Sequence, residues 1–399
     1  MYSNIKNSYV GLQERSIGRI TSKELGFKET NEDVDLIIVI PCFAEDEILK
    51  TLNSINACRK EDIKIEVIVL INESEDVETH YQLINEVCYK SILNYVDTTQ
   101  PDWSLSLAYI TGIPRKIAGV GTARKLAMDA ASVRFQDIGK LENGIIVNLD
   151  ADCTVSENYL HSILNHFYTN SKDELVSIAF QHRIAELENP NQREAIRQYE
   201  DYLRYFIGMQ KWLGLPYAYQ TIGSAFAVRA RAYLQVGGMN KRKAGEDFYF
   251  IHKFTKKGSI ATLDDCTVYP SGRTSFRVPF GTGRAVGDMM NDKATFYAYH
   301  PQSFYDLEEF VKGVESFYTN DVEVFFDSFP KGLQEYLQTQ KFHQEIEKIR
   351  KNTATLQSFY KAFYQWFDAF RLMKYLHYVR DRYYPSIPID EVLMEVDVT

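Results

Sequence analysis

Two aspartates stand two positions apart in Asn148-Leu149-Asp150-Ala151-Asp152, immediately after the apolar run 144–149. If that run is a buried strand, an extended continuation places Asp150 and Asp152 on one face at the strand's carboxyl end. Open α/β sheets bind ligands at that edge. Paired carboxylates there repel unless a hard divalent cation, Mn²⁺ or Mg²⁺, takes their oxygens, and such an ion can neutralise a departing diphosphate. The alternative is that one aspartate caps the helix expected from Ser156 while the other is solvated. A second acidic pair, Glu246 and Asp247, follows Gly245 and opens an aromatic stretch with helical spacing. Acids in a first helical turn satisfy the helix dipole. Either of these two could instead act as a general base toward an acceptor hydroxyl. A third cluster is basic: Arg273, Arg277 and Arg284 lie in a segment punctuated by glycine and proline. Guanidinium groups bind diphosphate oxygens in pairs, so this segment reads as a lid over an anionic ligand or as a solvated connector.

The elements that must position these residues alternate along the chain. Apolar, β-branched runs at 35–40, 64–71, 105–110 and 144–149 read as buried parallel strands, with helical spacing at 47–57, 77–96 and 122–135 between them. That alternation implies right-handed βαβ units and helices on both faces of the sheet. Further strands are expected at 175–181, 222–228, 259–263 and 267–269. After residue 287 only helices are expected, at 306–312, 333–349 and 355–382. The expected division is a lead-in over 1–33, an α/β domain over 34–287 and an α-helical extension over 288–399.

The chain has 399 residues, a net charge of −9 and an aromatic content of 14%. The acidity argues against a nucleic-acid partner held by bulk electrostatics. Five scattered cysteines without a CxxC pair suit reduced thiols in a cytosol. No apolar run is long enough to span a bilayer. These features together point to a cytoplasmic protein. The aromatic stripe of 355–384, with five Lys or Arg against two Asp, reads as the core of a helical bundle or a dimer contact. It also suits a surface helix in peripheral contact with a membrane and a lipid-linked acceptor.

Taken in order, several motifs carry a resemblance. They are Ile38-Val39-Ile40-Pro41-Cys42-Phe43-Ala44-Glu45, then Val69-Leu70-Ile71-Asn72-Glu73-Ser74-Glu75-Asp76, then Gly119-Val120-Gly121-Thr122-Ala123-Arg124. Asp150-Ala151-Asp152, Gly223-Ser224-Ala225-Phe226, Gly237-Gly238 and Gly245-Glu246-Asp247 follow. The set resembles the family 2 type of nucleotide-sugar glycosyltransferases across about residues 34–287, and implies a GT-A (Rossmann-like) fold, a mostly parallel sheet flanked by helices. By that resemblance Pro41 and Glu45 lie against the nucleoside and Asp76 falls in the loop that contacts the base. Asn72 stands where the family usually has Asp. Arg124 sits under the base or diphosphate, Asp150 binds ribose or metal, and Asp152 is the main metal ligand. Gly223 and Ser224 line the sugar or acceptor pocket, and His300 completes the metal shell as a downstream histidine does in some relatives. Asp247, with Glu246 close behind, is the base, which permits inverting displacement at the anomeric carbon.

The implied activity is metal-dependent transfer of a sugar from a nucleoside-diphosphate sugar to a glycan or lipid-linked acceptor, in surface glycan or glycoconjugate synthesis. A retaining transferase and a Mg²⁺-dependent nucleotidyltransferase are the alternatives, though the acidic loop after Pro41 lacks the basic, glycine-rich sequence expected of the latter. A dehydrogenase is rejected because Gly119-x-Gly121 is followed by Arg124 in place of the third glycine and lies far from the first strand.

Overall fold

The computed structural model describes residues 3–8, 25, 27, 31–60, 62–240, 245–273, 286, 287, 289, 295–320 and 322–396. The first half alternates strand and helix: β1 (Ser3–Ser8), β2 (Leu36–Cys42), α1 (Ile48–Ala57), β3 (Ile65–Ser74), α2 (Thr79–Thr99), β4 (Ser104–Ile113), α3 (Val120–Asp137) and β5 (Ile145–Asn148). Then follow β6 (Thr154–Val155), α4 (Tyr159–Thr169), β7 (Leu175–Phe180), α5 (Pro190–Trp212), β8 (Phe226–Arg229), α6 (Ala230–Gln235), α7 (Glu246–Thr255) and β9 (Ile260–Tyr269). Among the described residues nine strands form one sheet in the order β1-β4-β3-β2-β5-β8-β7-β9-β6. Strands β1 to β5 pair in parallel, β8 runs antiparallel to β5 and β7, and β7 is parallel to β9. This is an α/β fold, mostly parallel, with helices flanking the sheet.

The strands form where the β-branched runs lie. Every residue of β2 is buried, which is why that strand shows a continuous apolar run and no alternation. Steps β2 to β3 to β4 progress one way across the sheet, and β5 then returns to the other side of β2. The carboxyl ends of β2 and β5 therefore flank a topological switch point, where a crevice opens.

Some elements differ from the expectation. The stretch read as a lead-in supplies β1, paired with β4 from Ser3↔Ser106 to Ser8↔Thr111. Its sequence, SNIKNS, is polar and has no periodicity to announce an edge strand. The two short strands expected at 259–263 and 267–269 are one strand, β9, with an irregular register opposite Ile178/Ala179. Strand β8 begins at Phe226, four residues later than expected.

The chain divides into two compact units. One comprises Met1–Glu186 and Thr221–Gly281, the other Leu187–Gln220 and Thr282–Thr399. The helical unit thus draws in α5, a 23-residue helix that a simple cut at residue 287 leaves with the sheet. Its remaining parts are β10 (Tyr297–Ala298), α8 (Gln302–Tyr305), α9 (Glu308–Lys312), α10 (Val314–Thr319), α11 (Glu323–Phe326), α12 (Lys331–Thr339), α13 (Phe342–Lys351), α14 (Leu356–Trp366), α15 (Ala369–Arg380), β11 (Ile387–Pro388) and α16 (Ile389–Glu395).

The helix expected over 333–349 breaks at Lys341, which takes a left-handed φ of 53°. The one expected over 355–382 breaks before Asp368, whose carboxylate accepts the Arg371 amide and starts a new helix. Beyond that break the buried positions shift to Leu372, Tyr375, Leu376 and Val379.

Aromatic rings fill the core of the helical unit. Phe310 has Phe317, Phe329, Phe342, Phe363 and Phe367 around it at centroid distances of 5.0–5.8 Å. Phe359, Phe363, Phe367 and Tyr375 are wholly buried, so this part of the aromatic stripe is bundle core. Among the described residues no helix is long and apolar enough to cross a membrane.

Candidate active site

Helix α3 is buried on nearly all sides and carries four buried charged side chains, Arg124, Lys125, Asp129 and Arg134. Burying a charge is tolerable only where it is paired. Arg134 bonds Glu66 on the central strand β3, and Lys125 bonds Asp129 at 2.8 Å. Arg124 joins two acids from distant parts of the chain, Asp150 at 2.7 Å and Glu246. Burial alone would lower its pKa, but Asp150, Glu246 and Asp247 outweigh that and raise it further. Arg124 is therefore a permanent cation.

Strand β5 stops at Asn148, and the Cys153 amide donates to the Asp150 carbonyl at 3.1 Å, closing a turn. The turn is held from α1, where the Thr51 hydroxyl donates to the Ala151 carbonyl at 2.8 Å. The chain does not continue extended after β5 as expected, because this turn replaces it. Asp150 is held by Arg124, whereas Asp152 lies 3.7 Å from the guanidinium of Arg273.

Arg273 also bonds Glu45, and Asp46 at 2.9 Å. Burial alone would lower its pKa; Glu45, the strongest of the opposing acids, raises it above the ordinary value. Glu45 follows Ala44, a non-glycine residue with φ of 49°, where the chain turns sharply after β2. The Ala44 amide is held by the Asn85 side chain at 2.7 Å, which in turn donates to Glu73. Pro41 is the buried penultimate residue of β2, and Asn72 is buried on β3 beside a register shift. Asp76 lies outside this group of paired acids, half exposed and 3.3 Å from Arg115.

Gly223 and Ser224 precede β8, and Ser224 is buried. A Cβ on Gly223 would lie 2.7 Å from both terminal nitrogens of Arg124. That guanidinium is pinned between two carboxylates and cannot swing aside. Gly223→Ala should therefore cost about 1–3 kcal/mol through overpacking; an unchanged midpoint of chemical denaturation would refute this.

Helix α7 begins after Gly245, which has φ of 70°. Glu246 is buried against Arg124. Asp247 is partly buried, and its carboxyl is raised to about 6, first by burial and then by neighbouring Glu246, with Arg124 opposing. Of the two acids, Glu246 is occupied as an ion-pair partner, and Asp247 has the protonation behaviour of a base poised near neutrality.

Among the described residues the site brings together six carboxylates (Glu45, Asp46, Asp150, Asp152, Glu246 and Asp247) and two guanidiniums (Arg124 and Arg273). The negative surplus is what a cation would relieve. No three His, Cys, Asp or Glu side chains among the described residues form a metal cage. The donor set nevertheless suits a hard ion: Asp150 and Asp152 are each about a third exposed, at 35% and 31%. Water and phosphate oxygens would fill the remaining positions, as is usual for Mg²⁺.

His300 belongs to the helical unit, where its Nδ1 accepts the Gln302 amide at 3.1 Å. Arg277 and Arg284 lie outside the described residues, so the arginine-lid expectation rests here on Arg273. The pairing of Arg124 with Glu246 spans 122 positions. No local pattern signals it, and the family resemblance implies a place under the base or diphosphate for Arg124 instead. Asp46 is the other residue missed; its place beside Glu45 in an acidic loop was visible, its partner Arg273 was not.

No protein-family model matches the chain, and no curated protein matches it significantly. Among solved structures it is similar to crystal structures of S. aureus TarS 1-349, at 13% identity and a TM-score of 0.41, covering 80% of this chain and 92% of that one. The form in complex with UDP-GlcNAc gives 14% identity and 0.42, over 87% and 88%. The form in complex with UDP gives 12% and 0.41, over 80% and 92%.

Proposed function

We propose that this chain is a nucleotide-sugar glycosyltransferase of the family 2 type, transferring a sugar to an acceptor hydroxyl with inversion. The observation that carries this reading is one ion-paired group: Asp150 and Asp152 after β5, Arg124 in the first turns of α3, Arg273 after β9, and the Glu246–Asp247 pair at the start of α7. It supplies an anion-binding guanidinium, oxygen donors for a cation, and a carboxylate whose raised pKa suits a base.

In this mechanism Asp247 takes the acceptor proton as the hydroxyl oxygen bonds the anomeric carbon. The bond from that carbon to the diphosphate oxygen breaks, and the electron pair leaves with the nucleoside diphosphate. Arg124 keeps Glu246 and Asp150 in place. Arg273 exchanges carboxylate partners for phosphate oxygens, which its planar fork can bind in pairs. Mn²⁺ or Mg²⁺, held by Asp152 with Asp150, would neutralise charge on the leaving diphosphate. A glycan or lipid-linked acceptor suits the reading.

The test is a melting-temperature screen of the full chain against nucleoside-diphosphate sugars with Mn²⁺ or Mg²⁺. At least one should stabilise the protein, by about 2.7 kcal/mol at a hundredfold excess over Kd, and the shift should shrink in Asp152→Ala. No stabilisation by any of them would sink the reading; a full shift in Asp152→Ala would sink the metal assignment alone. Release of nucleoside diphosphate indicates sugar transfer, whereas release of pyrophosphate indicates nucleotidyl transfer.

A further inference from the structure

A second buried polar connection runs alongside the Arg124–Glu246 pair. Asp129, on α3, accepts from Lys125 and also from the hydroxyl of Tyr233 on α6. Tyr233 is wholly buried, and the same hydroxyl accepts the Met239 amide at 3.2 Å. Between them lies the turn Gly237-Gly238, with φ of 78° and 70°. A Cβ on Gly238 would lie 3.0 Å from the Tyr233 oxygen, so the turn packs directly on that hydroxyl. From the other side Lys253 of α7 donates to the carbonyls of Gly238, at 2.7 Å, and Val236, at 3.2 Å.

Lys253 is seven residues beyond Glu246, about two helical turns along the same helix. Helix α7 is thus tied to α3 twice. Its first turn is tied directly through Arg124, and its last turns through Lys253, the glycine turn, Tyr233 and Asp129. Two separated attachments fix the direction of a helix where one would leave it free to pivot.

We propose that Asp129, Tyr233 and Lys253 form a clamp that orients α7 and so positions Asp247. They are positioning residues, and this inference rests on the reading of Asp247 as the base. Misplacement by about 1 Å can cost on the order of a hundredfold in rate, so losing one anchor should affect turnover more than donor binding.

The experiment uses the full chain with Tyr233→Phe, which keeps the ring and removes the hydroxyl, and Lys253→Met with Lys253→Arg as the conservative control. Amide exchange at Tyr249, bonded to the Gly245 carbonyl at 3.3 Å, and at Phe250 should quicken at least tenfold in Tyr233→Phe and Lys253→Met. Exchange in β2 should stay as in wild type. In the same variants kcat for nucleoside-diphosphate release should fall about tenfold or more with donor KM within twofold, and Lys253→Arg should recover most of the loss. Unchanged exchange at Tyr249 and Phe250 overturns the clamp whatever the activity. Faster exchange with unchanged kcat overturns the positioning role. Wild-type protein that releases no nucleoside diphosphate overturns the site reading, while the exchange data still decide the clamp.

Discussion

Asp247→Asn should lower kcat by about 10²–10⁴, the usual worth of a positioned general base, while leaving the fold intact. Wild-type activity should rise with pH through about 6, the value to which burial and Glu246 lift the Asp247 carboxyl, because only the ionised form accepts a proton. The residual activity of the asparagine variant should lack that limb. The same shift makes a stability statement of opposite sign. The folded state binds the Asp247 proton more tightly than the unfolded chain does, so stability falls as pH rises from about 4 to about 6 and stays lowered above that. The loss is at most about 3 kcal/mol. Asparagine resembles the protonated form, so the variant should be more stable than wild type at pH 7.5 and equal to it near pH 4. Paired pH–rate and denaturation curves check both parts. An active asparagine variant would remove Asp247 from the base role, and an inactive variant that is also less stable would make it structural.

Arg124→Leu is the second large effect. It strands Glu246, which is 2% exposed, beside Asp247 and leaves Asp150 without its partner. Removing one member of a buried ion pair costs about 3–5 kcal/mol, because the remaining charge has neither water nor counter-ion. The loss should be partly recovered in the double variant Arg124→Leu, Glu246→Leu, since the two positions act as a unit. Arg124→Lys should recover less, because a single ammonium cannot fork between Asp150 and Glu246. Denaturant midpoints across this series are the measurement. Additive single and double effects would show that the two side chains do not depend on one another.

The sheet was legible in the sequence because its strands are buried on both faces. Runs such as 35–40 and 64–71 have no other reasonable place than the middle of a parallel sheet, and β2 and β3 lie within a few residues of them. The acids at 150, 152, 246 and 247 were equally visible, since each pair sits at the end or start of an element. Their partners were not. The family resemblance places Arg124 under the base or diphosphate, and only tertiary packing makes it the counter-ion of residues 26 and 122 positions away. Strand β1 was not legible because an edge strand can be polar, and α5 was not expected although Asn189 caps it and Pro190 opens it. Its Tyr205 is buried and donates to the Tyr299 carbonyl at 2.7 Å inside the helical unit. The long helices expected near the end were cut by Lys341 and Asp368, where a left-handed residue and a capping carboxylate overrode a sustained apolar stripe.

The division of the chain bears on its synthesis. Helix α5 emerges from the ribosome before β8, α7 and β9, yet the core it belongs to is made only afterwards, from residues beyond Thr282. The sheet unit is likewise interrupted, lacking β8 and β9 until the loop through α5 has been made. Neither unit can finish folding as a contiguous nascent segment, and the contacts that close each one are long-range, a topology that slows folding. A cut after residue 287 would release a sheet carrying an orphaned 23-residue helix, Pro190–Trp212, with its buried face exposed to solvent.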